Sequence, residues 1–187
     1  LNRLRSADIG DGATLPSDAL PQVVFDDSMT VDLGGIHARL FAPPLASGHT
    51  DGDIFVYIPE AHVLCTGDFF FANRLPIVDT EVGGSLAGYL GSIRMLGKSL
   101  PAETRVIPGH GTFTPDPVRT WKLADWVAWS YTIENAAEYV RKRLAQGISV
   151  EDLSQQEPPP EIAPLVIRPR FVKWERWVSF ISSEPGQ

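Results

Sequence analysis

A single cysteine, Cys65, occurs in the 187 residues, so no internal disulfide can form and the redox compartment stays open. Basic residues are few. Sixteen Lys and Arg stand against 23 Asp and Glu, giving a net charge of −7 and a pI near 5.0. No basic stripe is available for phosphates, which excludes nucleic acid as a main partner. No apolar run approaches the roughly 18 residues that span a bilayer, so no membrane partner is expected. The first twelve residues hold Arg3 and Arg5 with no apolar stretch behind them, unlike a signal peptide. An initiator Met is missing too, and the expectation is that the native product begins elsewhere. The compartment is left as soluble, either cytoplasmic or secreted after removal of a leader.

What is present is ordinary for a globular chain: 43% apolar and 21% charged residues, with length for one domain and a sizeable core. Residues 1–22 mix charge, Gly and Pro without a period and read as an irregular lead-in; residues 23–187 read as the folded portion. Met29 to Leu33, Gly34-Gly35 and Ile36 to Phe41 predict two strands around a tight turn. Ile54 to Ile58 and His62 to Cys65 predict two more strands, and Thr104 to Ile107 another. Residues 83–98 predict a helix capped by Ser85, with Leu86, Tyr89, Leu90, Ile93 and Leu96 at helical spacing. Asp116-Pro117 reads as the start of a long helix ending near Ala145, followed by Gly147. Ser149 to Asp152 opens a short helix, and residues 171–182 form an amphipathic one that packs Phe171, Trp174, Val178 and Ile181.

Three loop residues carry chemistry. His49 precedes the IFVYI strand, Asp68 closes the HVLC strand, and His110 closes the TRVI strand. Each has a Gly neighbour: Gly48, Gly67, and the pair Gly109 and Gly111. A loop at a strand end is fixed on one side and open on the other, and glycine lets the backbone turn sharply. Imidazole and carboxylate together suit zinc, with iron or manganese as alternatives. A carboxylate can also bridge two cations.

The segments GHTDGD (48–53), LCTGDFFF (64–71) and VIPGHG (106–111), in that order and spacing, resemble the three C-terminal motifs of the metallo-β-lactamase superfamily. FDDSMTVDLGG (25–35) is similar to the strand pair that precedes the histidine loop there, and the likeness runs from about residue 20 to about residue 130. The resemblance implies an α/β fold of the αββα sandwich type. It implies metal ligands at His49, on the first metal, at Asp68, bridging both, and at His110, on the second. It implies a supporting role for Asp53, and Thr50 joins it by bonding nearby backbone. The cofactor implied is zinc, one or two ions. The activity implied is hydrolysis of a small molecule, with metal-bound hydroxide attacking an ester, amide, lactam or thioester.

The chain departs from the family in one large respect. The H-x-H-x-D-H cluster that supplies most ligands and positions the attacking water does not occur among His37, His49, His62 and His110. The sandwich is therefore expected to be incomplete, mainly its second half, with one sheet face left for a complementing N-terminal half or a second copy. No catalytic residue is assigned. The alternative is a catalytically inactive remnant that acts as a binding or oligomerisation module through its tryptophan-rich helices. Among Phe69, Phe70 and Phe71, Phe70 is assigned to a substrate pocket, and Arg74 is placed to meet an anionic substrate. Cys65 reads as a buried inert thiol, His37 and His62 as exposed, and Trp121, Trp126 and Trp129 as helix-borne core or interface.

Overall fold

The computed structural model describes residues 14–111, 121–166 and 172–184. Its strands are β1 (Ser28–Asp32), β2 (His37–Phe41), β3 (Phe55–Ile58), β4 (Val63–Cys65), β5 (Arg105–Ile107) and β6 (Trp121–Lys122), joined in that order into one six-stranded sheet. Neighbours are antiparallel except β4 and β5, which run parallel. The helices are α1 (Leu86–Ser99), α2 (Leu123–Ala145), α3 (Val150–Gln155), α4 (Ala163–Val166) and α5 (Trp174–Ser183).

Local chemistry explains the first elements. Gly34 and Gly35 have φ of 81° and 98°, the left-handed pair that a two-residue hairpin turn requires. Asp32 Oδ1 accepts from both glycine N–H groups, and Leu33 N–H donates to the Ile36 carbonyl. Ser85 caps α1 by accepting from Gly88 N–H, and Ser149 caps α3 by accepting from Asp152 N–H, as the sequence indicates.

The sheet has two unlike faces. Phe55, Tyr57, Leu64 and Val106 alternate onto one face, and all are buried in a core with Leu86, Ile93, Trp126, Ile133 and Val140 from α1 and α2. α1 packs on α2, and α5 closes the core against α2 and α3 with Trp174, Trp177 and Val178. The opposite face carries Met29, Leu40, Val56, Cys65 and Ile107, aligned in register as one row across five strands and all half-buried. This apolar row stays half-exposed among the described residues. Among the described residues there is one sheet, not the two of a complete sandwich.

The long helix differs from its expected start. Trp121 and Lys122 are not helical; they form β6 and pair with Val106 and Arg105. The helix begins at Leu123, with Asp125 Oδ2 accepting from Lys122 N–H at its entrance. Extending the sheet edge of β5 satisfies backbone groups that a longer helix would leave open, and it overrides local propensity. The Asp116-Pro117 start signal and Phe171 lie outside the described residues. Trp126 is fully buried, and its indole N–H donates to the Phe69 carbonyl at 3.0 Å, tying α2 to the loop after β4. Trp126→Ala removes both that bond and the ring contacts with Phe55 and Phe70. We expect a loss of about 3–5 kcal/mol in urea unfolding.

Candidate functional site

The loop before β3 is braced at both ends. The Asp53 carboxylate accepts from Thr50 N–H at 2.8 Å and from Thr50 Oγ1 at 3.2 Å, folding residues 50–53 back on themselves. His49 is held by backbone on two sides: Asp79 N–H donates to its carbonyl at 2.8 Å, and its Nδ1 lies 2.8 Å from the Ile77 carbonyl. A carbonyl can only accept, so Nδ1 carries the proton. Nε2 is the ring nitrogen left to face Asp68.

Asp68 lies in a tight helical turn, Gly67–Phe69, directly after β4. Tyr89 on α1 donates its hydroxyl to the Asp68 carbonyl at 2.9 Å. Its ring stacks on Phe69, with centroids 4.6 Å apart. Thr66 Oγ1 donates to the Ile107 carbonyl at 3.0 Å and Gly109 N–H to the Gly67 carbonyl at 2.9 Å, joining the loops after β4 and β5. Beyond them His110 pairs with Phe71 in an isolated parallel bridge.

The three expected ligands converge. His49 Nε2 lies 3.4 Å from Asp68 Oδ2, and His110 Nε2 lies 3.2 Å from Asp68 Oδ1. The Phe71 ring stacks on His110 at 5.0 Å and tilts toward His49 at 6.2 Å, so a buried aromatic ring underlies both imidazoles. The spacing suits a cation between each pair. With metal bonds of about 2.0–2.2 Å and a tetrahedral angle, two donors stand about 3.4 Å apart. The number of donors is smaller than a closed site needs. Each imidazole meets a different oxygen, and among the described residues no group of three or more His, Cys, Asp or Glu is placed to hold one ion.

Burial decides the neighbouring protonation states. Desolvation pushes the Asp53 carboxyl above its ordinary value, while the Thr50 N–H and the nearby His49 act against it. A raised folded-state value means that ionised Asp53 costs stability, and the cost grows as pH rises from the ordinary carboxylate range through the raised value. A cation on His49 and Asp68 acts in the opposite sense. Burial, then the charges of Asp68 and Asp53, push the Tyr89 phenol well above its ordinary value, so it stays a neutral donor.

The other expected residues divide. Phe70 has no exposed surface, and its ring packs on Trp121, Trp126 and Trp129 at 5.1–6.4 Å. It is a core residue, not a pocket wall, because the turn that aims Asp68 outward directs Phe70 beneath α2. Arg74 is half-buried, and its carbonyl accepts from Trp129 Nε1 at 3.1 Å. Cys65 is half-buried on the open sheet face, and burial raises its thiol pKa. His37 is exposed and bonds Glu60 through Nδ1. His62 is half-buried with its Nε2 3.6 Å from Glu103, less open than the sequence suggests. Three contributors escaped the sequence reading. Tyr89 reads there only as a helix-face apolar residue, Phe71 as one of three equal phenylalanines, and the Ile77 carbonyl carries no side-chain signal.

Gly109 marks a close approach between the two loops that carry Asp68 and His110. A Cβ there would lie 2.5 Å from the Gly67 carbonyl group and 2.7 Å from Asp68 Oδ1. Gly109→Ala must push the two loops apart, and we expect a loss of about 1–3 kcal/mol in thermal or urea unfolding. An NMR spectrum of the variant should show His49 and His110 ring signals displaced while α3 and α5 signals stay in place.

A family model described as the metallo-beta-lactamase superfamily matches residues 7–110, more than half of the chain. The probable metallo-hydrolase YqgX of Bacillus subtilis (strain 168) is 32% identical over 85 residues, which are 45% of this chain and 38% of that protein. The chain thus spans well under half the length of that relative. Among solved structures, a double mutant of the sec-alkyl sulfatase PisA1 aligns with 87% of this chain and 26% of its own, at 12% identity and a TM-score of 0.58. The stereoselective inverting sec-alkylsulfatase Pisa1 from Pseudomonas sp. aligns over the same shares at 13% identity and a TM-score of 0.54. These two likenesses concern the fold alone. The family match spans β1 to β5 and the three converging residues His49, Asp68 and His110, and the chain belongs to the metallo-beta-lactamase superfamily.

Proposed function

We propose that this chain is the part of a zinc-dependent hydrolase that carries His49, Asp68 and His110 as metal ligands, acting on a small-molecule ester, amide, lactam or thioester. The observation that carries the reading is the placing of two imidazole Nε2 atoms on the two oxygens of one carboxylate. His49 with Asp68 Oδ2 would hold one cation, and His110 with Asp68 Oδ1 a second. Zinc suits this donor set, with iron or manganese as alternatives. When bound, such ions lower the pKa of water and polarise a carbonyl oxygen.

The chain's own residues prepare that chemistry. The Ile77 carbonyl fixes the His49 tautomer, and Asp53 with Thr50 holds the loop that presents it. Tyr89 and the Gly67–Gly109 contact fix the Asp68 turn. Phe71 keeps water from beneath the imidazoles. Arg74 is offered to an anionic substrate. Two donors per cation fall short of the three protein ligands usual in catalytic zinc sites. The remaining donors, and the group that positions water, would come from a complementing N-terminal half or a second copy seated on the row from Met29 to Ile107.

The donor count also favours a second reading, a chain that holds no metal and serves as a binding or oligomerisation module. Metal analysis separates the two. We expect about two equivalents of zinc in protein purified with zinc present, lost in Asp68→Ala without loss of the fold by circular dichroism. A wild type that stays metal-free even at concentrations where it associates sinks the hydrolase reading. Sedimentation gives an independent check on the open sheet face. We expect association that rises with concentration and is weakened by Val56→Lys, whereas a strictly monomeric wild type removes the second copy as the covering layer.

A further inference from the structure

Residues 45–49 pack on a glycine face at the start of helix α1. A Cβ at Gly84 would overlap the His49 carbonyl oxygen, one at Gly88 the Ser47 carbonyl oxygen, and one at Gly91 the Leu45 side chain. These positions are four and three apart, so they share one face. The loop runs back along that face and is bonded to it and to the turn before it. Leu45 N–H donates to Ser92 Oγ at 3.2 Å, Ser47 Oγ to the Gly83 carbonyl at 2.7 Å, and Ser85 N–H to the Gly48 carbonyl at 2.9 Å. Glycine weakens a helix interior, and at Gly88 the close approach of another backbone requires it.

The next residue, Tyr89, holds the other ligand loop. Its hydroxyl donates to the Asp68 carbonyl at 2.9 Å, and its ring stacks on Phe69. Phe69 also lies against Gly48, where a Cβ would overlap its ring. The residue before His49 therefore touches the residue after Asp68, and both loops rest on one turn of α1. His110 comes from the loop after β5 and lies on the Phe71 ring.

We propose that the first turn of α1 is the bracket that sets the 3.4 Å separation of His49 Nε2 and Asp68 Oδ2, with Gly88 and Tyr89 as positioning residues. Gly88 fixes how close the His49 loop comes to the helix, and Tyr89 fixes where the Asp68 turn stops. The proposal rests on the hydrolase reading only in taking this pair as ligands of one cation. The bracket itself is a property of the metal-free chain.

Three variants separate a bracket from ordinary packing. Gly88→Ala pushes the Ser47 backbone off the helix and moves His49 alone. Tyr89→Phe frees the Asp68 backbone, and because the Asp68 carboxylate faces both imidazoles, it changes the surroundings of both. Gly97→Ala, on the same helix, crowds Val127 of α2 and changes neither. The readout is the imidazole ring signals of the full, metal-free chain by NMR at one pH, assigned with His49→Gln and His110→Gln. We expect the His49 signals alone to shift in Gly88→Ala, both sets in Tyr89→Phe and neither in Gly97→Ala. His49 signals that stay in place in Gly88→Ala mean that the helix gives way instead of the loop, and they overturn the proposal. So do His49 signals displaced equally in Gly97→Ala, or both sets unmoved in Tyr89→Phe, the variant that decides if Gly88→Ala does not fold. Zinc titrated into the same proteins gives a second arm. We expect Gly88→Ala to weaken binding on the order of tenfold and Gly97→Ala to leave it unchanged. Unchanged affinity in Gly88→Ala overturns the bracket. A wild type that takes up no zinc even where it associates sinks the hydrolase reading, while the ring signals still decide the bracket.

Discussion

The hydrogen bond from Gly109 N–H to the Gly67 carbonyl is the contact on which the site depends. It joins the loops that leave the two parallel strands β4 and β5, and so brings Asp68 and His110 to one rim of the sheet. The parallel pairing is what makes this possible. Cys65 stands beside Ile107, so both chains exit in the same direction at the same edge. β3 runs the other way, with Val56 opposite Cys65, and therefore its beginning lies at the rim where β4 ends. His49, in the loop leading into β3, arrives at the same place from the opposite direction. Two exits and one entrance meet because the sheet changes from antiparallel to parallel between β3 and β5. Only a glycine at position 109 lets the loops approach closely enough for the carboxylate to stand between the imidazoles.

Beneath this polar cluster lies an aromatic bed, and the two are structurally inseparable. Phe69, Phe70 and Phe71 follow Asp68 directly, and each goes to a different neighbour: Phe69 to Tyr89, Phe70 to the tryptophans of the α2 region, Phe71 to the histidines. The carbonyl of Asp68 takes the Tyr89 hydroxyl, and that of Phe69 takes the Trp126 indole. Backbone polar groups in an otherwise apolar bed are thereby satisfied by long aromatic side chains reaching across from helices, which keeps a buried turn from leaving its carbonyls unpaired. The hydrophobic core fixes the aim of Asp68 as firmly as the sheet does.

Much of the fold was legible because its signals are local. The Gly34-Gly35 turn, the Ser85 and Ser149 caps and the apolar period of α1 are set by chemistry within a few residues. So are the glycines that flank His49, Asp68 and His110, and their convergence follows once strand order is known. What stayed hidden is non-local. β6 exists because the β5 edge offers backbone partners to Trp121 and Lys122, which nothing in that dipeptide announces. Phe70 goes to the core and Phe71 to the site because one turn sets their directions, and three identical side chains in a row cannot say which is which. The Ile77 carbonyl fixes the His49 tautomer from 28 positions away, as backbone, with no residue-type signature.

The open face and the cluster of His49, Asp68 and His110 belong to the same edge of the molecule. Cys65 and Ile107 end the apolar row on strands β4 and β5, and those strands lead within a few residues to Asp68 and His110. A layer seated on that row would reach the rim where each imidazole meets one carboxylate oxygen. If the proposed metal site is real, one covering element could supply both apolar surface for the half-buried row and further donors for its cations. The coupling has a thermodynamic consequence. A layer that brings ligands is held by metal as well as by buried area, and metal is held more firmly when the layer is seated, so each raises the affinity of the other by the same factor. Assembly and metal loading would then be two readings of one equilibrium.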